Sequence, residues 1–338
     1  MPIAIPAARQ KLIERIAAAA RQLNRRSDTL KPEDFIRQYY HGVAEEDLAD
    51  YSGKELAAAA LAHLRFSAIR RSRRPLVRVY NSDDIRENWS SAYTIVEIAF
   101  DDMPFLVDSL GMVLTQAGLP IHLMVHPVLA VRRDRAGRLT ALANANGGAA
   151  GVRRESWQHI YTDRIGDPAR RRELERKIHS TLQDVQAAVS DWPQMRQRAL
   201  DVAQSIEDGA PPISAGEIRE VKALLEWMAA DHFTFLGYRE YRLQRGRTED
   251  LIEPIADTGL GILRVRAGKD VRATKLTGAL REHAHEPDLL TITKANSMST
   301  IHRATYLDYV GLKTFDKNGR VQGERRFLGL FTSSVYNR

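Results

Sequence analysis

The chain has 338 residues, enough for two or three domains of ordinary size, and its 43% hydrophobic and 28% charged content is that of a globular protein. It has no cysteine, which excludes disulfides, thiolate metal sites, iron–sulfur clusters and a cysteine nucleophile. Fifty Lys and Arg against 43 Asp and Glu give a net charge of +7, a balance that permits nucleic-acid binding without arguing for it.

Residues 8–25 predict an amphipathic helix, because Leu12, Ile13, Ile16 and Leu23 recur at helical spacing. Pro32 with Glu33 and Asp34 marks a second helix start, with Phe35, Ile36 and Tyr39 on one face. After Ser52-Gly53 a helix is expected over 54–71, striped by Leu56, Leu61, Leu64 and Ile69. Nothing in the first 72 residues suggests chemistry. The period then changes. Leu76–Tyr80 is a short strand, and Tyr93–Phe100 a stronger one, rich in β-branched and aromatic residues. Asp102-Met103-Pro104 predicts a helix N-terminus, with Asp102 as its cap and Pro104 in its first turn. That helix carries Leu106, Val107, Leu110, Val113 and Leu114 and stops at Gly118, before Pro120. A strand over 121–132, a turn at Gly137, a hairpin arm at Arg138–Ala143 and a Gly-rich loop at Asn144–Gly151 follow. Trp157–Tyr161 reads as another strand, and Asp167-Pro168 opens a long helix over 168–190.

Residues 93–190 thus spell β-α-β-(β)-β-α, the ferredoxin-like plan without its last strand, so the order is expected to be permuted or completed from elsewhere. Trp192-Pro193 predicts the start of a further helix, to about Ile206, and Asp208–Pro212 a linker. Ser214 and Glu217 stand at capping-box spacing before a helix to Ala230. Strands are expected at Phe233–Leu243, Gly261–Val265, Leu289–Thr293, Tyr306–Phe315 and Arg325–Thr332. Asn318-Gly319 turns the last two, and 267–287 is an insertion. This is a five-strand antiparallel meander, close to a PAS-like sheet. The expected fold class is α+β. It comprises a helical segment (1–75), a ferredoxin-like, ACT-type domain (76–190), a helical linker (191–231) and a PAS-like antiparallel domain (232–338).

Motifs of self-sufficient chemistry are missing. Gly259-Leu260-Gly261 lacks the third glycine of a dinucleotide loop, and Gly53-Lys54-Glu55 lacks the rest of a phosphate loop. His122 and His126 share a face of the predicted strand, and His283 and His285 flank Ala284, but neither pair has a third ligand in sequence, so no metal site is expected. Two basic clusters, Arg70, Arg71, Arg73, Arg74 and Arg170, Arg171, Arg172, Arg176, Lys177, read most simply as solvated surface. A nucleic-acid-binding scaffold built on the first is the competing function. No apolar run approaches the ~20 residues of a membrane span, and no secretory pattern opens the chain, so a cytoplasmic protein without a membrane partner is expected.

The run Asp102-Met103-Pro104-Phe105-Leu106-Val107-Asp108-Ser109, then Gly118-Leu119-Pro120-Ile121 and His126-Pro127-Val128, resembles the N-terminal region of the large bacterial NAD-specific glutamate dehydrogenases. Tyr39-Tyr40, the Thr234–Tyr238 run and Arg326–Ser333 are similar to the same family and stand in the same order. The resemblance implies a long homo-oligomeric enzyme that converts L-glutamate and NAD to 2-oxoglutarate, ammonium and NADH. It also implies ACT-type and PAS-like domains here and the catalytic lysines and Rossmann segment downstream. On that reading the chain stops short at Arg338 and carries no catalytic residue and no cofactor of its own. NAD belongs to the whole enzyme. The implied partners are the catalytic segment of the same polypeptide, further copies of the chain and an amino-acid effector.

ACT-type domains commonly run their first strand into an Asp-x-Pro turn, which Asp102-Met103-Pro104 matches, although Phe105 stands where many have glycine. An effector site is therefore expected at Asp101, Asp102, Met103, Pro104, Phe105 and Asp108. Helix N-terminal N–H groups would take the α-carboxylate, and Asp101 or Asp108 the ammonium. The plainer alternative is that Asp102 caps the helix while Asp108 faces solvent or an arginine. The PAS-like region is expected to be packed, without haem or flavin.

Overall fold

The computed structural model describes residues 7–24, 30–71, 73–84, 89–143, 151–207, 211–265 and 272–332. The loop expected at 144–150, part of the 208–212 linker and part of the 267–287 insertion lie outside them. The chain divides into two compact units, residues 1–183 and 184–338.

The first unit opens with helices α1 (Ala7–Leu23), α2 (Pro32–Tyr39), the single turn α3 (Glu45–Leu48) and α4 (Gly53–Phe66). Pro32 occupies the first turn of α2, where its missing N–H costs nothing. Ser52 caps α4, its Oγ accepting from the Glu55 N–H at 3.1 Å. The sequence predicts a helix as far as 71, but α4 ends at Phe66. The residues after it pair with a distant turn instead: Leu139 N donates to Ala68 O at 2.8 Å and Arg70 N to Gly137 O at 2.9 Å.

The sheet of this unit contains β1 (Leu76–Asn81), β2 (Thr94–Asp101), β3 (Ile121–Val125), β4 (Val128–Arg133), β5 (Leu139–Ala143) and β6 (Val152–Thr162). Helix α5 (Leu106–Gln116) follows β2, and α6 (Pro168–Ser205) follows β6. The strand order is β1-β2-β6-β4-β5, with β3 also on β6, and every pairing is antiparallel. The strand missing from the end of the ferredoxin-like plan is supplied by β1, which precedes the motif and lies beside β2. The expected single strand over 121–132 is two strands. Pro127 has no N–H for the ladder, so β3 and β4 separate there and pair with opposite ends of β6.

β2 is buried from Thr94 to Phe100 on both faces, which is why it reads as a nearly unbroken apolar run. One face, through Ile95 and Ala99 with Trp157 and Tyr161 of β6, forms a single core with Phe35, Tyr39, Tyr40, Leu56, Ala57 and Leu61 of the N-terminal helices. Burying a ring such as Trp157 contributes about 2–3 kcal/mol, and the small residues of α4 let that helix approach closely.

Helix α6 contributes residues to both units. A break at Trp192-Pro193 is expected from sequence, yet the helix runs through Pro193. Asp191, buried beside the proline, accepts from Gly261 N at 2.8 Å and pairs with Arg264, anchoring the backbone where a break is expected. The second unit adds α7 (Ala215–Trp227), whose Ser214–Glu217 capping box forms as expected. Its sheet contains β7 (Phe233–Gln244), β8 (Asp250–Pro254), β9 (Leu260–Gly261), β10 (Thr274–Leu276), β11 (Leu290–Met298), β12 (Tyr306–Phe315) and β13 (Val321–Phe331), with helix α8 (Gly278–His285) between β10 and β11. The order is β10-β8-β7-β13-β12-β11, with β9 on β7. It is not a meander, because the first long strand, β7, pairs with the last. The strand expected at Gly261–Val265 is only the two-residue β9, and β8 stands in its place. The β12–β13 turn stands where expected, but only Gly319 takes a positive φ (+74°), so it is a longer turn than the two-residue Asn-Gly type, with Asp316 Oδ1 accepting from the N–H groups of Asn318 and Arg320.

Two glycines with positive φ differ in a testable way. A Cβ at Gly137 (φ +79°) would lie 2.4 Å from Arg70 O, whereas one at Gly118 (φ +69°) meets nothing within 4 Å. Gly137→Ala is expected to destabilise the chain in chemical denaturation by about 3 kcal/mol or more, and Gly118→Ala by about 1 kcal/mol. Equal losses would contradict the pairing of residues 68–70 with 137–139.

Candidate functional site

The turn singled out in the sequence lies at the end of β2. Asp101 pairs with Arg70, which is 4% exposed, and stands 3.8 Å from Arg73 Nε. Asp102 does not cap the helix. Its N–H donates to Arg154 O at 3.0 Å and its carboxylate accepts from Arg154 Nε at 3.2 Å. The N-cap of α5 is Phe105, held at φ 71°, so Pro104 precedes the helix rather than forming its first turn. A residue in the left-handed region re-aims the chain sharply, and α5 begins without a side-chain cap. Met103 and Phe105 are half-buried, and Pro104 and Asp108 exposed.

Behind this turn the register of β2 and β6 places three carboxylates on one face: Asp101 opposes Glu155, Ala99 opposes Trp157, and Glu97 opposes His159. Glu155 is fully buried. It accepts from Arg133 through Nε and Nη2, both at 2.8 Å, from Arg70 Nη2 at 2.8 Å and from Trp157 Nε1 at 3.0 Å. Burial opposes its ionisation, but these donors outweigh burial and hold its pKa below the usual carboxylate value.

Glu97 is equally buried and was not legible as a site. Arg78 Nε of β1 donates to its Oε2 at 2.5 Å, and Tyr80 Oη and His159 Nδ1 each lie 3.1 Å from Oε1. The Arg78 guanidinium also sits over the Phe66 and Tyr80 rings, 4.5 and 4.4 Å from their centroids. Burial works against a charged Glu97, yet His63, His159 and Arg78 lower its pKa to about 2. His63 of α4 completes the cluster. Its Nε2 is 3.2 Å from Ile98 O and its Nδ1 2.8 Å from Tyr39 Oη. A carbonyl only accepts, so Nε2 carries the proton and the Tyr39 hydroxyl donates to Nδ1. Burial lowers the His63 pKa to about 4. The sequence held one signal for this cluster: a lone Glu in the apolar run Thr94–Phe100 and a lone His in an alanine-rich helix.

The other sequence candidates disperse. His122 pairs with Asp163 at 2.7 Å on β3, and His126 falls in the break before β4. His285 pairs with Asp250, and His283 with Glu286 at 2.7 Å. Among the described residues two groups bring three ligand-type atoms within 4.8 Å of one another: His63, Glu97, His159 and His283, Glu286, Asp288. The first has Arg78 on its carboxylate and both His63 nitrogens in hydrogen bonds. In the second, Lys313 Nζ bonds Asp288, Glu286 O and His283 O, so a cation of the chain already holds that place. The first basic cluster does not present four exposed cations, since Arg70 is buried in ion pairs, and Arg171 of the second is buried against Asp84 and Ile165 O. No helix among the described residues is long and apolar enough to cross a membrane.

These features define an α+β protein whose first unit is a permuted ferredoxin-like sheet, cross-braced by buried ion pairs and packed through an apolar core against a helical layer. Residues 35–178 match the family model described as glutamate dehydrogenase, ACT1 domain. The chain is 36% identical over 307 residues to an NAD-specific glutamate dehydrogenase of Halomonas elongata, and 34% identical over 304 residues to one of Pseudomonas aeruginosa. Each match covers 90% of this chain and 19% of the relative. A Mycobacterium tuberculosis enzyme of the same description is 25% identical over 277 residues, covering 82% of this chain and 16% of that protein. The chain belongs to the NAD-specific glutamate dehydrogenase family, corresponds to the N-terminal region of these enzymes and spans about a fifth of their length.

Both perturbed groups push stability the same way. Glu97 has a depressed folded pKa, so its contribution is present above about pH 4.5 and lost as pH falls toward 2. His63 stays neutral in the fold while the unfolded chain protonates near 6.5, so stability also falls as pH drops from 6.5 toward 4. Denaturation of His63→Gln between pH 4 and 7 is expected to show a shallower pH slope than the parent, by up to one proton; an unchanged slope would contradict the assignment. Glu97→Gln at pH 7 is expected to cost about 3 kcal/mol, because it leaves Arg78 without its carboxylate.

Proposed function

We propose that this chain is the non-catalytic regulatory and oligomerisation portion of an NAD-specific glutamate dehydrogenase. The whole enzyme would convert L-glutamate, NAD and water to 2-oxoglutarate, ammonium and NADH in the cytoplasm. The observation that carries this reading is the similarity over 90% of the chain to enzymes of that description, together with the ACT1 match. The disposition of charge supports it. Glu97, Glu155, Arg70 and Arg133, the buried ionised groups of the first sheet, bond to one another or to fixed neighbours, which suits an architectural part. NAD would bind elsewhere in the whole enzyme, and further copies of the chain would complete the assembly. In the second unit, the pairing of the first long strand with the last supports a PAS-like reading.

The effector site we propose is the Asp101–Phe105 turn with Asp108, and its ligand an amino acid. The N-terminal turn of α5 would present its backbone N–H groups and the positive end of the helix dipole to an α-carboxylate. Asp101 already holds Arg70, so a bound ammonium would compete with that pair and couple ligand to the Arg70–Glu155 network. Calorimetry with a panel of amino acids is expected to give at least one dissociation constant below about 1 mM, weakened in Asp101→Asn. Absence of binding by every amino acid in the panel would overturn the effector reading.

A further inference from the structure

The second unit contains a half-open cavity of about 620 Å³ between the end of α6 and the sheet. That volume is in the range of small-molecule sites. Its floor follows from register. Arg325 of β13 opposes Glu240 of β7, and Arg242 opposes Gly323, so Glu240, Arg242 and Arg325 share one face. Arg242 and Arg325 are diagonal neighbours on β7 and β13, within reach of one small ligand. Gly323, between Arg242 and Thr314, has no side chain to fill the floor. The walls are mixed: Val202 and Ile206 of α6 with Leu312 and Phe315 of β12 form an apolar part, beside the polar Ser205, Thr314 and Gln322.

The charged groups lining the cavity divide into two sets. Lys313 is consumed by Asp288 and two carbonyls, and Glu324 by Arg326 and Tyr309. Glu240 accepts from Tyr238 Oη at 2.7 Å. The side chains of Arg242 and Arg325, by contrast, form no ion pair or hydrogen bond among the described residues. Their side-chain donors are unused, and two cations stand beside one carboxylate on the floor of a hollow whose walls are partly apolar. Arg242 is exposed and Arg325 half-buried, so both guanidinium groups are reachable from the cavity mouth; a ligand anion would take their charge-assisted hydrogen bonds while its apolar part replaces water on the apolar side chains.

We propose that this cavity binds a small organic carboxylate with an apolar body, its carboxylate on Arg242 and Arg325 and its hydrocarbon against Val202, Ile206 and Phe315. The proposal lies wholly in the second unit and does not rest on the reading of the 101–105 turn. Hexanoate and its neutral isostere hexanamide separate the two halves of the recognition. In calorimetric titrations of the 338-residue chain, hexanoate is expected to saturate below about 10 mM, with hexanamide at least about tenfold weaker. The double variant Arg242→Gln/Arg325→Gln is expected to weaken hexanoate to the level of the amide, with circular dichroism and melting temperature kept. Amide binding as tight as the carboxylate would overturn the proposal on the unmodified chain alone. So would hexanoate that fails to saturate, or hexanoate binding unchanged in a folded double variant.

Discussion

Two buried carboxylates, Glu97 and Glu155, set the conditions that the rest of the first unit meets. They lie on the same face of neighbouring strands, and each is ionised only because cations reach it from other elements: Arg78 from β1, Arg133 from β4, and Arg70 from the segment after α4. An ion pair of this kind adds little net stability over an apolar substitute, but losing one member is expensive. Its effect is on specificity. A one-residue slip of β2 against its neighbours would move Glu97 to the opposite, apolar face and leave Arg78 and His159 without it. The same carboxylates explain why β1 belongs to this sheet and why residues 67–70 leave helix α4, since those arrangements deliver Arg78 and Arg70.

The second unit is ordered differently. Its core is aromatic: Phe233, Phe235, Phe327 and Phe331 make edge-on contacts across the pair formed by the first and last long strands. Toward the far end of those strands the core-facing positions change from Phe and Tyr to Glu240, Arg242 and Arg325, and there the packing opens into the cavity. One sheet buries its charges in closed pairs, while the other leaves two of its arginines open on a hollow.

Much of this was legible where local signals act alone. The β2–α5 unit, the Gly118 stop, the Ser214–Glu217 capping box and the Asn318-Gly319 turn depend on short-range chemistry and stand where periodicity places them. What failed depended on distant partners. Pro127 splits a strand only because β6 is long enough to pair with both pieces, and Pro193 sits inside a helix whose Asp191 is tied to Gly261. Asp102, expected as the cap of α5, is held instead by Arg154, 52 residues away. The His63–Glu97 cluster joins a helix to a strand from a face that periodicity assigns to plain packing.

On the function proposed above, the polar residues of this chain would serve architecture and control, and the redox chemistry of the whole enzyme would lie outside these 338 residues. Incubating the 338-residue chain with L-glutamate and NAD and following NADH absorbance tests it most directly. The account predicts no rate above that of buffer. Protein-dependent NADH formation, proportional to the concentration of this chain, would contradict it.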